Sequence, residues 1–191
     1  MPIQIYNTFS GKKEIFNPLH EGRASLYVCG PTVYGDSHLG HAKAYVSFDI
    51  ILRYLRYRGF KTFYVQNITD VGHLLGEDND GEDRLISRAR ELEQEPMAVA
   101  ESFTRRHFEV MDKLDIIRPD ISPRASAHIP EQLEIIASLI KNGLAYESNG
   151  SVYFEISKDS NYGALSNRKI EEMRGGARVK VRSEKRHPGD F

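Results

Sequence analysis

Residues Ser25-Leu26-Tyr27-Val28-Cys29 form a short apolar run closed by Gly30-Pro31, the pattern of a buried strand that ends at a turn. A helical pattern follows. Ala44, Phe48, Ile51, Leu52 and Leu55 recur at helical spacing, Arg53, Arg56 and Arg58 fall outside that stripe, and Gly59 supplies a stop. Lys61 to Gln66 is then rich in β-branched and aromatic residues and reads as a second strand. Strand, helix and strand within about forty residues make a βαβ unit, whose parallel pairing demands a crossover of right-handed sense. This restricts the chain to the α/β class.

The stretch between the first strand and its helix concentrates chemistry. Cys29-Gly30-Pro31-Thr32-Val33-Tyr34-Gly35-Asp36-Ser37-His38-Leu39-Gly40-His41 contains one thiol, three glycines and two histidines. Open α/β sheets bind ligands at this place, and a helix start offers unpaired N–H groups and the positive end of its dipole to a phosphate. Gly40 lets a ligand approach the backbone closely, and two imidazoles three positions apart share one side of the first turn. Cys29 is the single cysteine of the 191 residues. It cannot form an internal disulfide and is a buried small hydrophobe, a metal ligand or a reactive thiol.

The second half has a different texture. Asp78 to Asp83 is acidic and glycine-containing and reads as a solvated loop. After Pro96, the positions Ala100, Phe103, His107, Val110, Met111 and Leu114 trace a helix face, with Arg118-Pro119 as its end. A further helix starts near Pro130, carries Leu133, Ile136, Ala137 and Ile140, and stops at Asn142-Gly143. Asn149-Gly150 between the apolar segments of Tyr146 to Phe154 predicts a hairpin. From Arg168 to Arg186 eight basic residues stand against three acidic ones, either a solvated segment or a contact with a nucleic-acid backbone.

The whole-chain balance of 26 basic and 27 acidic residues gives no general attraction to nucleic acid, so any such contact is local. No apolar run of about 18 residues exists, and Met1-Pro2-Ile3-Gln4 lacks a signal-peptide layout. We expect a cytoplasmic protein without a membrane partner.

His38-Leu39-Gly40-His41 resembles the signature tetrapeptide of class I aminoacyl-tRNA synthetases. Tyr27-Val28-Cys29-Gly30-Pro31-Thr32-Val33-Tyr34 and Asn67-Ile68-Thr69-Asp70 are similar to the cysteine-specific members. Leu114-Asp115-Ile116, Arg118-Pro119-Asp120, Pro123-Arg124-Ala125, His128-Ile129 and Gly176-Ala177-Arg178-Val179 carry the likeness along the chain. The resemblance implies residues 1–75 as the first half of a Rossmann-like catalytic domain and residues 76–191 as a helical and hairpin connective insertion. The second catalytic half and the anticodon-binding domain are expected beyond residue 191, so the chain by itself is expected to be an inactive fragment of a monomeric parent.

The implied activity is ATP-dependent conversion of L-cysteine to cysteinyl-adenylate, followed by transfer to tRNA(Cys), with Mg2+ accompanying ATP. His38 and His41 are the implied catalytic residues, and His38, Leu39, Gly40 and His41 the implied ATP contacts. Cys29 is the implied ligand of a Zn2+ ion whose other ligands lie beyond residue 191. That metal would hold the substrate thiolate and reject serine by coordination chemistry. Gly30, Thr32, Thr69 and Asp70 are the implied cysteine-binding residues, with loop capping as an equal alternative for Asp70. His73 reads as a loop histidine. Two rivals stay open: the related ligase that joins cysteine to an amino sugar in mycothiol synthesis, and a non-catalytic nucleotide-binding remnant.

Overall fold

A computed structural model describes residues 2–72, 83–166 and 184–191. His73, most of the acidic loop 77–83, Gly176-Ala177-Arg178-Val179 and most of the basic segment 168–186 lie outside the described residues. The chain divides into two compact units. One comprises Pro18–Leu75 and Asp80–Ile129, and the other Met1–Asn17, Gly76–Asn79 and Pro130–Phe191.

The first of these units is built on the expected βαβ. Strand β3 (Arg23–Val28) pairs in parallel with β4 (Lys61–Gln66), joined by helix α1 (Leu39–Tyr57). Register runs from Arg23 opposite Lys61 to Val28 opposite Gln66. Alternation sends Ala24, Val28, Tyr64 and Gln66 to one buried face, while Ser25, Tyr27 and Phe63 stay exposed on the other. Gly59 ends α1 at a φ of 88°, a left-handed turn that a side chain would strain.

The buried face of α1 is rotated from the expected stripe. Tyr45, Leu52 and Leu55 are its buried residues, whereas Ala44, Phe48 and Ile51 are exposed. The helix carries apolar residues all round, so spacing alone did not select the inward face.

Helices α2 (Arg84–Glu91) and α3 (Pro96–Lys113) complete the unit. Asp83 caps α2 by accepting from Leu85 N at 2.7 Å. Proline at the first turn starts α3 without sacrificing a helical donor. The helix stops at Lys113, before Arg118-Pro119, because Asp115 adopts a φ of 55° and its N–H turns back to Asp112 O. Among the described residues, two clusters form its core. Val28, Tyr45, Leu52, Tyr64, Met111 and Ile116 bind α1 and α3 to the sheet, while Val33, Ile68, Leu85, Ala89, Val99, Ala100 and Phe103 join α2 and α3 to the strand ends.

The outer edge of β4 is also occupied. Gln66 N donates to Ile121 O at 3.1 Å, Ile68 N to Pro123 O at 2.8 Å, and Ala125 N to Ile68 O at 3.0 Å. Residues 120–125 therefore extend the sheet as a third parallel segment and close that edge against another chain.

In the other unit, β1 (Gln4–Asn7) and β2 (Lys12–Ile15) form an antiparallel hairpin, and α4 (Ile129–Lys141) precedes the hairpin of β5 (Ala145–Ser148) and β6 (Ser151–Phe154). Asn149 and Gly150 sit at φ of 50° and 77°, as a tight two-residue hairpin turn requires. Asp190, 1% exposed, accepts from Tyr146 OH and the backbone of Ile156 and His187. That carboxylate pins residues 184–191 to the β5-β6 hairpin. Among the described residues no helix is long and apolar enough to cross a membrane.

Candidate active site

The two strands pinch together where their carboxyl ends meet the loops. Gly30 N donates to Asn67 Oδ1 at 2.8 Å, and Tyr27 OH donates to the same oxygen at 2.9 Å. A Cβ on Gly30 would lie 1.5 Å from the Asn67 carbonyl oxygen, so only glycine allows the crossing. Beyond it the chains pair again. Val33 N donates to Thr69 O at 3.2 Å, Thr69 N donates to Pro31 O at 3.0 Å, and Thr32 stands opposite Thr69. Gly30, Pro31, Thr32, Tyr34, Gly35, Asp36, His38 and His41 line a cleft of about 360 Å³.

His38 is the N-cap of α1 and His41 its third residue, and the two form a reciprocal capping box with imidazoles in place of the usual hydroxyl and carboxylate. His38 Nδ1 accepts from Gly40 N at 3.1 Å, and His41 Nδ1 accepts from His38 N at 3.1 Å. A neutral imidazole whose Nδ1 accepts carries its proton on Nε2. Each ring therefore keeps an Nε2–H donor for a ligand, and the rings lie 4.1 Å apart between centroids. Burial, followed by the neighbouring His38, holds His41 below the usual histidine value, which favours that neutral form. No acidic side chain occupies the first turn of α1, so nothing there offsets the positive end of the helix dipole.

A Cβ on Gly40 would lie 2.9 Å from His38 Cε1 and 3.0 Å from Nδ1. Gly40 thus makes room for the capping imidazole itself. Leu39, the first residue of α1, is 85% exposed.

Cys29 is exposed, which removes the reading of a buried hydrophobe, and among the described residues its Sγ makes a long contact of 3.8 Å to Gly30 O. An accessible thiol at a strand end fits one metal ligand. Among the described residues no group of three or more His, Cys, Asp or Glu side chains gathers to hold a metal. Thr69 Oγ1 accepts from Asn67 Nδ2 at 3.1 Å and remains half-buried near Thr32. Asp70 is 1% exposed, and its carboxylate accepts from Ser126 N at 2.9 Å and Ser126 Oγ at 2.6 Å, with Arg124 at 3.7 Å. Of its two roles open in sequence, these contacts are those of a loop anchor, tying the end of β4 to residues 124–126.

Sequence reasoning missed Ser37 and Tyr45, and it left His107 in an apolar helix face. Ser37 Oγ lies 2.8 Å from His107 Nδ1 on α3. His107 is 2% exposed, and its ring meets Tyr45 edge-on at 5.4 Å. Tyr45 in turn stacks with His41 at 6.2 Å and donates to Cys29 O at 3.4 Å. Burial, with smaller contributions from His41 and Arg118, pushes His107 down to about 4, so it is neutral near pH 7. An imidazole in an apolar stripe signals that a polar partner must exist, but its partner is 70 positions away and spacing cannot find it.

The family model for the class I (C) tRNA synthetase catalytic domain matches residues 15–191. The chain belongs to that family. It is 51% identical over its whole length to a Cysteine--tRNA ligase of Chlorobium chlorochromatii and 49% identical to one of Thermus thermophilus. In each case it covers 40% of the relative, so the chain spans about two-fifths of the curated proteins it matches. A solved LeuRS-tRNA-LeuAMS ternary complex of Agrobacterium radiobacter shares the fold with a TM-score of 0.53 at 18% identity, covering 69% of this chain and 16% of that one. The α/β class expected from the βαβ pattern is observed, and the class I synthetase catalytic domain that the resemblance implied is the one matched.

Proposed function

We propose that this chain is the amino-terminal catalytic part of a cysteine–tRNA ligase, which activates L-cysteine with ATP and transfers it to tRNA(Cys). The observation that carries the reading is the pair of Nε2–H donors from His38 and His41 at an unopposed helix start, in a chain about half identical to curated enzymes of that name. Within this reading, residues 1–75 derive from the first Rossmann half and residues 76–191 from the connective insertion. The parent is a cytoplasmic monomer.

In the activation step the cysteine carboxylate attacks the α-phosphorus of ATP and pyrophosphate leaves. His38 and His41 donate Nε2–H bonds to phosphate oxygens, and the α1 terminus adds its backbone field, so negative charge is met by donors already in place. Mg2+ enters bound to ATP. Gly30 and Thr32 line the amino-acid end of the cleft, Thr69 stands opposite Thr32, and Asp70 anchors that strand end through Ser126. Cys29 would hold a zinc ion as one of its ligands, with the others drawn from the rest of the full-length protein, and the metal would supply a thiophilic Lewis acid that favours a thiol over a hydroxyl.

The test uses the full-length protein with cysteine, ATP and tRNA. Cysteine-dependent pyrophosphate exchange followed by cysteinyl-tRNA formation is expected. Exchange that yields only an amino-sugar adduct assigns the mycothiol-type reaction, and absence of exchange refutes catalysis.

A further inference from the structure

We infer that His107 is a positioning residue for both phosphate-facing imidazoles, reaching His38 through Ser37 and His41 through Tyr45. The inference deepens the adenylation reading and rests on it. Ser37 directly precedes the N-cap of α1, and its hydroxyl meets His107 Nδ1 at 2.8 Å. The His38 N–H lies one peptide further on and is the donor to His41 Nδ1. A rotation of the Ser37–His38 peptide would therefore turn both rings together. From its other side, the His107 ring abuts Tyr45, which stacks on His41. One buried side chain on α3 thus meets the two supports of the site.

The chemistry of His107 argues against simple core filling. It is 2% exposed, and its Nε2 is buried with no hydrogen-bond partner among the described residues. A core selected for stability alone is better served by leucine or phenylalanine, which leave no unpaired nitrogen. The polar atom that is used, Nδ1, faces the loop that carries His38. Arg106, the neighbour of His107, also reaches that loop through Asp36 at 3.1 Å, so α3 grips it at two successive residues.

The experiment measures cysteine-dependent pyrophosphate exchange and thermal unfolding for His107→Leu, His107→Asn, Ser37→Ala and the double variant Ser37→Ala/His107→Leu in the full-length protein. His107→Leu and Ser37→Ala should each lower kcat about tenfold, with KM for ATP within about twofold of wild type. The double variant should lose no more than either single one, since both changes cut the same linkage. His107→Asn, whose amide overlies Nδ1, should recover most of the rate. Additive losses, a wild-type kcat in His107→Leu or Ser37→Ala, or no recovery with asparagine would overturn the assignment. If His107→Leu fails to fold, Ser37→Ala still decides the kcat loss. His38→Ala and His41→Ala, run alongside, separate the two readings. Wild-type exchange in both would remove the phosphate site itself, whereas their loss with intact His107→Leu would remove only the positioning role.

Discussion

Acidification should destabilise this fold through His107, and the size of the effect follows from its burial. Its folded value is pushed down to about 4 from 6.5, first by burial and then by His41 and Arg118. The folded state therefore resists a proton that the unfolded chain accepts. The stability that this confers is fully present above about pH 6.5, and it is lost progressively as pH falls towards about 4. Linkage between those two values gives a loss of about 2 kcal/mol between pH 7 and pH 5 from this residue alone. Urea unfolding of wild type and His107→Leu at the two pH values isolates the contribution, because the two proteins differ only at that residue. At pH 7 the variant should lie within about 1 kcal/mol of wild type, since the lost Ser37 hydrogen bond is offset by removal of the orphaned Nε2. At pH 5 it should be the more stable of the two. An imidazole NMR titration that puts His107 near 6.5, or equal acid sensitivity in both proteins, would refute the reasoning.

Two further substitutions probe other parts of the account. In the full-length protein, Cys29→Ser should weaken zinc binding at least about tenfold and impair cysteine activation, while ATP binding holds. Wild-type zinc content by metal analysis would remove the ligand assignment. Gly30→Ala forces a Cβ against the Asn67 carbonyl and should cost roughly 3 kcal/mol or more, read as a lower thermal midpoint. An unchanged midpoint would show that the strand crossing is not as tight as described.

The parts of this molecule that were legible in sequence are those specified locally. β4 occupies the expected residues, Gly59 ends α1, and Asn149-Gly150 turns the β5-β6 hairpin, because each depends on propensity or on a left-handed φ within a few positions. That these residues line a cleft follows from the same locality, since a strand end, glycines and paired histidines lie within thirteen consecutive residues.

What sequence did not yield depends on packing at a distance. The β1-β2 hairpin is exposed on both faces and so lacks a period-two pattern. Helix α2 is amphipathic but spans only eight residues with few apolar ones, too short a run to stand out as a helical pattern. Residues 120–125 read as fragments between prolines until β4 supplied their hydrogen-bond partners. Asp70 could equally hold a ligand ammonium or cap a loop by sequence, and its contacts with Ser126 and Arg124, more than fifty positions away, are what orient it. His107 is the sharpest case. Helical spacing placed it inward, but its value to the site lies in Ser37 and Tyr45, which no local pattern links to it.

The central claim is that His38 and His41 meet charge on the phosphates of ATP. Single-turnover formation of cysteinyl-adenylate in the full-length protein tests it most directly. His38→Ala and His41→Ala should each slow that step by about 10²–10³ while thermal unfolding shifts little, the signature of lost transition-state donors. Adenylate formation at the wild-type rate in both variants would contradict the claim.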